Sequence, residues 1–346
     1  MAPVTISIVG LGRQGSEHLK AIQTLESEGA CSLIAVCDND PAKMESLPAR
    51  ISRYTDVAEM LGRNRPQAVV VATPNNQHLA ICEQALGQGI HVLKEKPLAL
   101  TMRDAKKLAA AANANSAVLH VSQQRRFHPY YRTALSWLPR LGEIDLISYG
   151  FFLNDKFDSW YWRVAKGGGC WYGLGWHAAW VWAFFGGPLQ EVHVRWQVGK
   201  QRSFTQDTDH SCIAMGSFIS GGSALAHLSV VHPFKAEDVV IEGPNGAVVL
   251  RRNELILFNS DGTPQIRNDA PFSWEAAYRY QLLDFMDSIA AAEPGVDKFS
   301  LWAMSTLSAG RQSARCGLPV KISEIDDTVG GIAASDTLQS LEEIIQ

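Results

Sequence analysis

Apolar and polar positions follow two different rhythms along this chain, and the change between them falls near residue 122. Before it, short apolar runs alternate with segments of helical period: Val4 to Val9, a helix from about Gly15, Leu33 to Cys37, a helix around Ala58 to Leu61, Val69 to Ala72, a helix from about Gln77 to Gln88, His91 to Leu93, a helix from about Met102 to Ala112, and Ala117 to Val121. Strand and helix in regular alternation predict a parallel sheet with helices on both faces. Beyond residue 122 come longer alternating stretches, Ile144 to Leu153, Glu191 to Val198, His210 to Ile219, Ser223 to Val231, Asp238 to Glu242 and Ala247 to Leu250. Hairpin-like glycines such as Ser220-Gly221-Gly222 lie between them, which predicts a larger and partly antiparallel sheet. Helical period returns at roughly Ser273 to Ala292 and Leu301 to Cys316, and the last residues read as one more helix. The expected fold class is therefore α/β: a doubly wound parallel sheet over residues 1–121, then an α/β domain with a large open sheet over residues 122–346.

Composition agrees with two domains, because 346 residues exceed what one core organises. A charged fraction of 19% and a net charge of -4 leave no basic field for nucleic acid or anionic lipid, so the expected partners are small molecules and other protein subunits. The six cysteines, Cys31, Cys37, Cys82, Cys170, Cys212 and Cys316, form no CxxC pair and no cluster at zinc spacing. They read as reduced and structural, with no metal site, which predicts the cytoplasm. The start MAPVTISIVGLG lacks the charged region and apolar length of a signal peptide, and no segment reaches the length of a membrane span.

Candidate chemistry begins at Gly10-Leu11-Gly12-Arg13-Gln14-Gly15, directly after the strand TISIV and before a helix. The first glycine serves a tight turn, the second lets backbone approach a pyrophosphate, and the helix N-terminus meets the phosphate charge. Asp38, at the end of LIAVC, stands where a carboxylate accepts the ribose hydroxyls of a dinucleotide. Its charge repels a 2′-phosphate and no arginine follows it, which favours NAD over NADP. Two further segments, Thr73-Pro74-Asn75-Asn76-Gln77-His78 and Glu95-Lys96-Pro97, lie at C-terminal ends of predicted parallel strands, where open α/β sheets place their ligands.

With QQRRFHP at Gln124 to Pro129 and WR...GGG...GxH at Trp162 to His177, these motifs resemble, in order and over nearly the whole chain, the glucose-fructose oxidoreductase, inositol dehydrogenase and MocA family. The resemblance implies a Rossmann domain binding NAD and a C-terminal domain whose open sheet forms a homo-oligomer, a dimer or tetramer. It implies hydride transfer between nicotinamide and a carbinol or carbonyl of a sugar, cyclitol or related polyol. Lys96 and His177 are then the expected catalytic pair. Gly10, Gly12, Arg13, Gln14, Gly15, Asp38, Thr73, Pro74, Asn76, His78, Glu95, Lys96, Gln124 and Arg126 are expected around the cofactor. Gln124 stands where the family usually has asparagine. A lysine in a partly desolvated cleft has a lowered pKa and suits proton exchange with a hydroxyl. Pro97 is a candidate for a cis bond that sets the lysine's direction.

The segment KGGGCWYGLGWHAAW, Lys166 to Trp180, departs from the family. Its usual pattern carries an aspartate four residues before the histidine, and here that place is Gly173, while a second aspartate is replaced by Trp180. Arg163, Trp171, Tyr172 and Trp176 are, beside Lys96 and His177, the expected substrate contacts, with room beside Gly173 for a bulky substituent. Tyr172, Asp155 and Asp158 are candidates for the missing proton-transfer group. Trp180 and Trp182 read as core. Two alternatives stay open: an enzyme that uses tightly held NAD for a transient oxidation in a lyase or glycosidase reaction, and a catalytically silent NAD- or sugar-sensing protein on the same fold.

Overall fold

The computed structural model describes residues 3–155, 160–198, 209–251, 254–268 and 273–325. Asp158 and the expected terminal helix lie outside them. In chain order the first elements are β1 (Val4–Val9), α1 (Arg13–Ser27), β2 (Cys31–Cys37), β3 (Ser52–Tyr54), α2 (Val57–Asn64), β4 (Ala68–Val71), α3 (His78–Leu86), β5 (His91–Lys94), α4 (Met102–Ala114), β6 (Val118–Val121) and α5 (Pro129–Leu141). Next come β7 (Leu146–Asn154), α6 (Val164–Gly167), α7 (Gly169–Gly173), α8 (Gly175–Gly186), β8 (Leu189–Val198), β9 (Asp209–Phe218), β10 (Ser223–Ser229), β11 (Val231–Gly243), β12 (Gly246–Arg251), β13 (Glu254–Asn259) and β14 (Pro264–Asn268). The chain closes with α9 (Trp274–Ala290), β15 (Gly295–Val296), α10 (Lys298–Cys316) and β16 (Val320–Lys321).

These elements divide into two compact units. The first comprises Met1–Ala99, Asp104–His128 and Ser273–Asp297, the second Leu100–Arg103, Pro129–Phe272 and the chain from Lys298. In the first, seven strands pair in the order β15-β6-β5-β4-β1-β2-β3, all parallel. Helices on both faces exclude water from the middle strands, which is why every residue of β4 is buried and its sequence, AVVV, does not alternate. The strand order reverses between β1 and β4, and the glycine-rich turn leaves β1 there.

A single boundary after Val121 does not describe this unit, because α9 and β15 return to it. Tyr278, Leu282, Phe285 and Met286 of α9 pack in one core with Ile6, Ile8, Ile22, Leu33, Val70 and Leu93. The period of an amphipathic segment reveals a helix without saying which sheet it will cover.

The second unit carries a nine-stranded sheet, β14-β13-β12-β11-β7-β10-β9-β8-β16, in which β7 and β10 run parallel and the other pairs antiparallel. The Ser220–Gly222 turn joins β9 to β10 as an antiparallel hairpin, with the Phe218 amide donating to the Gly222 carbonyl. Along these strands the two faces alternate. Cys212, Ala214, Ala224, Ala226 and Leu228 are buried, whereas Ile213, Met215 and Leu225 are exposed although apolar. The sequence pattern missed β3, α5, α6, α7, β13, β14, β15 and β16. β3 has three residues, and α5 holds Pro139 within it.

Candidate functional site

The turn after β1 is built by close backbone approach. Gly10 has φ +90°, and a Cβ there would lie 2.7 Å from the Ala72 carbonyl oxygen, while one at Gly15 would lie 1.9 Å from that of Gly10. Gly12 differs, since a Cβ there meets nothing within 4 Å. It is the N-cap of α1, makes no side-chain cap, and the first turn holds no acid. The helix therefore presents unshielded amides to open space, an anion cradle that a side chain would fill. Thr73 Oγ1, beside Gly10, is buried without a hydrogen-bond partner. Arg13 and Asn76 are exposed at this edge, and Pro74 is half-buried.

Asp38 ties this turn to the end of β2. Its Oδ2 accepts the Leu11 amide at 2.6 Å, and its Oδ1 accepts the Asp40 amide at 2.9 Å and the Lys43 ammonium at 3.1 Å. Burial works to raise its pKa, but these donors outweigh it and hold the carboxyl below its ordinary range. Since each carboxylate oxygen accepts two bonds, Oδ2 keeps one place for a further donor.

At the end of β5 two charged residues turn inward. Lys94 is fully buried and donates to the carbonyls of Glu95 (3.0 Å), Pro97 and Leu98 (2.9 Å). Burial lowers its pKa to about 8. The Lys96–Pro97 bond is cis. Glu95, expected at the cofactor, points into the unit instead: its Oε1 meets His18 Nε2 and Ser122 Oγ, each at 2.9 Å. Gln124, another expected cofactor ligand, donates its amide to Ser122 Oγ at 2.7 Å and lies 3.5 Å from Glu95 Oε1. Gln281 of α9 completes the network, accepting the Gln123 amide at 2.6 Å and donating to Ser122 Oγ at 3.1 Å.

Other expected residues are likewise committed. His78 is buried with Nε2 2.8 Å from the Thr73 carbonyl oxygen. Its pKa is pushed well down by burial and then by Lys94, so it is a neutral donor that braces the turn. Gln14 hydrogen-bonds Tyr278, and Arg126 pairs with Asp284 at 3.5 Å. Lys96 itself remains half-buried at the strand end.

In the second unit, the glycine-rich segment is held by Asp209, whose Oδ2 accepts the Trp171 amide at 2.6 Å and the Cys212 thiol at 3.4 Å. Cys170, Asp209 and Cys212 place possible ligand atoms within 4.8 Å of one another. Burial raises the pKa of both thiols and of Asp209, and the carboxylate's bonds to the Trp171 amide and the Cys212 thiol make the trio a hydrogen-bonded cap on α7. A Cβ on Gly169 would lie 1.9 Å from Asp209 Oδ1, which explains the glycine.

Trp171, Tyr172 and Trp176 are core residues rather than exposed substrate contacts. All are buried. Trp171 donates its indole N–H to the Leu307 carbonyl at 2.9 Å, and a Cβ at Gly310 would lie only 2.4 Å from its ring. Tyr172 lies under the Arg311 guanidinium, 5.1 Å from the ring centre. The expected room beside Gly173 is filled, because a Cβ there would meet Trp162 Cζ3 at 2.8 Å and Tyr161 Oη at 3.3 Å. Asp155 accepts the Trp162 indole N–H at 2.8 Å. Arg163 is exposed. His177 is buried, its ring edge-on to Phe151 at 5.6 Å.

Sequence reasoning missed His18, Lys94, Ser122, Asp209, Tyr161 and Gln281. Only His18 had a usable signal, an aromatic base one turn into the helix behind the glycine turn. Ser122, Asp209 and Gln281 act through folding that brings distant segments together, whereas Lys94 bonds carbonyls of the turn that follows it.

Comparison with known proteins bears out the family. The model of the oxidoreductase family with a NAD-binding Rossmann fold matches residues 4–123, and that of the GFO/IDH/MocA C-terminal domain matches residues 139–249. The chain belongs to this family of oxidoreductases, and its first unit carries the family's NAD-binding fold. It is 31% identical over 133 residues to inositol 2-dehydrogenase 1 of Saccharopolyspora erythraea, 37% of this chain and 39% of that one. It is 28% identical over 130 residues to the rhizopine catabolism protein MocA of Rhizobium meliloti, 37% and 40% of the two chains. The chain spans about half the length of the curated relatives it matches. Among solved structures, levoglucosan dehydrogenase with NADH and levoglucosan superposes with a TM-score of 0.83 at 17% identity, covering 92% of this chain and 99% of that one. GenD2 from gentamicin A biosynthesis, in complex with NAD, gives 0.80 at 23%, covering 93% and 97%. Among the described residues no helix is long and apolar enough to cross a membrane.

Glu95 gives a pH test. Burial would raise its pKa, but His18, Ser122 and then Lys96 outweigh burial and hold it below its ordinary 4.5. The unfolded chain takes up this proton at the ordinary value and the folded chain only at lower pH. The stabilisation is therefore complete above that value and is lost as pH falls through the folded one. Glu95→Gln should be less stable at neutral pH by about 1–3 kcal/mol and show a flatter acid limb in urea unfolding below roughly pH 5.5. Parallel acid limbs in the two proteins would refute the ionised network.

Proposed function

We propose that the protein is a NAD-dependent dehydrogenase that moves a hydride between nicotinamide and a carbinol or carbonyl of a sugar, cyclitol or related polyol. The observation that carries this reading is the end of β5, where Lys94 and Glu95 are locked inward and Lys96 is left half-buried as the cation at the edge. The names of the inositol and levoglucosan dehydrogenases support the substrate class.

The residues present fit NAD. The open space at Gly12, the uncapped start of α1 and the unpaired Thr73 hydroxyl suit a pyrophosphate and its neighbours, and the remaining acceptor site on Asp38 suits a ribose hydroxyl. NAD supplies the hydride acceptor or donor when bound. Lys96 binds the reacting oxygen and exchanges its proton, and His177 contributes a second hydrogen bond to the substrate. The buried free cysteines suit a reducing cytoplasm. The apolar outer face of the large sheet, with Ile213, Met215 and Leu225 exposed, suits a second copy of the chain, giving a dimer or tetramer.

Asp38 should set the cofactor preference. NAD is expected to bind more tightly than NADP in calorimetry, and Asp38→Ala should narrow the gap by weakening NAD and by freeing Lys43 for a 2′-phosphate. Equal affinities in the unaltered protein would defeat this assignment.

Lys96→Ala should lower turnover by a factor on the order of a hundred or more, with NAD affinity little changed. Near-normal turnover at saturating substrate removes Lys96 from the mechanism. No turnover by the parent on a broad sugar and polyol panel, with NAD bound, would favour a sensor instead.

For the sheet face, light scattering of the parent should give the mass of two or four chains, and Ile213→Glu with Met215→Glu should reduce it. A parent of single-chain mass would reject the interface.

A further inference from the structure

From Trp160 to Gln190 the chain has no aspartate or glutamate, yet the segment carries His177 and belongs to the candidate catalytic unit. We propose that the Tyr161 phenol supplies the polar group that position 173 lacks, and that it acts with His177 on one substrate hydroxyl. This rests on the dehydrogenase reading and deepens it.

Geometry places the phenol. The side-chain space of residue 173 is taken by two rings from the preceding turn, Trp162 and Tyr161, which pack edge to face at 4.6 Å. Trp162 is buried and anchored through its indole N–H to Asp155 at 2.8 Å, so the ring against which Tyr161 rests is fixed. Tyr161 is only half-buried. Its hydroxyl lies 3.3 Å from where a Cβ on residue 173 would be and 3.4 Å from the Gly173 carbonyl oxygen, to which it donates at long range. The polar tip therefore occupies the position of a short side chain on residue 173.

That position is one turn before His177. Leu174 keeps right-handed helical angles (φ -95°, ψ -36°), and the amides of His177 and Ala178 both donate to its carbonyl, so the helical path runs on from α7 into α8. Residues four apart on such a path are neighbours. A phenol at 173 and an imidazole at 177 can thus bracket one hydroxyl or hydrogen-bond through it.

Among the described residues, Asp209, Asp155 and Tyr172 are engaged elsewhere. Asp209 holds the Trp171 amide, Asp155 holds the Trp162 indole, and Tyr172 is buried beneath Arg311. Restoring an acid directly is sterically blocked, since Gly173→Asp would drive its Cβ against the Trp162 ring at 2.8 Å.

Tyr161→Phe keeps the ring and removes the hydroxyl. The decisive measurement follows the His177 imidazole by NMR through a pH titration, assigned by its disappearance in His177→Asn, in the parent and in Tyr161→Phe with NAD bound. The proposal expects the His177 midpoint to move while the melting temperature and NAD affinity stay as in the parent. An unchanged midpoint overturns it. On whichever of myo-inositol, glucose or levoglucosan the parent turns over, Tyr161→Phe should lower kcat by about tenfold to a hundredfold, and an unchanged kcat also counts against it. If the parent turns over none of them, the dehydrogenase reading fails on those substrates, while the titration still decides whether Tyr161 and His177 are coupled.

Discussion

Two charges buried side by side at the end of β5 constrain the whole first unit. Lys94 and Glu95 sit where a parallel sheet is driest, and an uncompensated ion there would cost several kcal/mol. Each therefore needs a full set of partners, and the fold is arranged to give them. Lys94 takes three carbonyls of the turn that follows it, so the turn must fold back over the strand end. Glu95 takes His18 from α1 and Ser122 after β6. Ser122 in turn needs Gln281, which arrives from a helix 159 residues further on. The discontinuity of the unit thus follows from satisfying one buried carboxylate as well as from covering the sheet.

The same inward arrangement gives Lys96 its place. With Lys94 and Glu95 fixed by their partners, the backbone that carries Lys96 has little freedom, and its half-buried side chain leaves the strand end at a set point. Charge placed this way is oriented before any ligand arrives, so less reorganisation is needed when one binds. His78 contributes by staying neutral: a second cation beside Lys94 would undo the balance, and burial prevents it.

How much of this the sequence showed depended on whether the relevant partners were local. The glycine turn, Asp38 and the strand ends bearing Thr73 and Lys96 were legible, because each depends on a strand and the few residues after it. The parallel sheet was legible for the same reason. Glu95 and Gln124 were placed toward the cofactor, since nothing near them in sequence shows His18 or Gln281 coming to meet them. Trp171 and Trp176 were read as candidate contacts because aromatic clusters suit both ligands and cores. Gly175 and Gly310 decide between these uses by leaving room for Trp171 in the interior, and a glycine's effect on a ring more than a hundred residues away is invisible in a linear pattern.

Gly173 shows why a missing residue type is a poor guide to a missing function. Read along the chain, the absence of an acid there suggests an open pocket or a lost activity. In three dimensions the space is closed by rings from residues 161 and 162, so the position has been exchanged and not emptied. A phenol delivers a hydroxyl without the negative charge of a carboxylate, and a neutral donor beside an imidazole demands less desolvation than an ion in the same place. In a segment this rich in buried tryptophan, where an extra carboxylate would need partners that the surrounding rings do not offer, a tyrosine from a neighbouring turn is the polar group that the packing can accommodate.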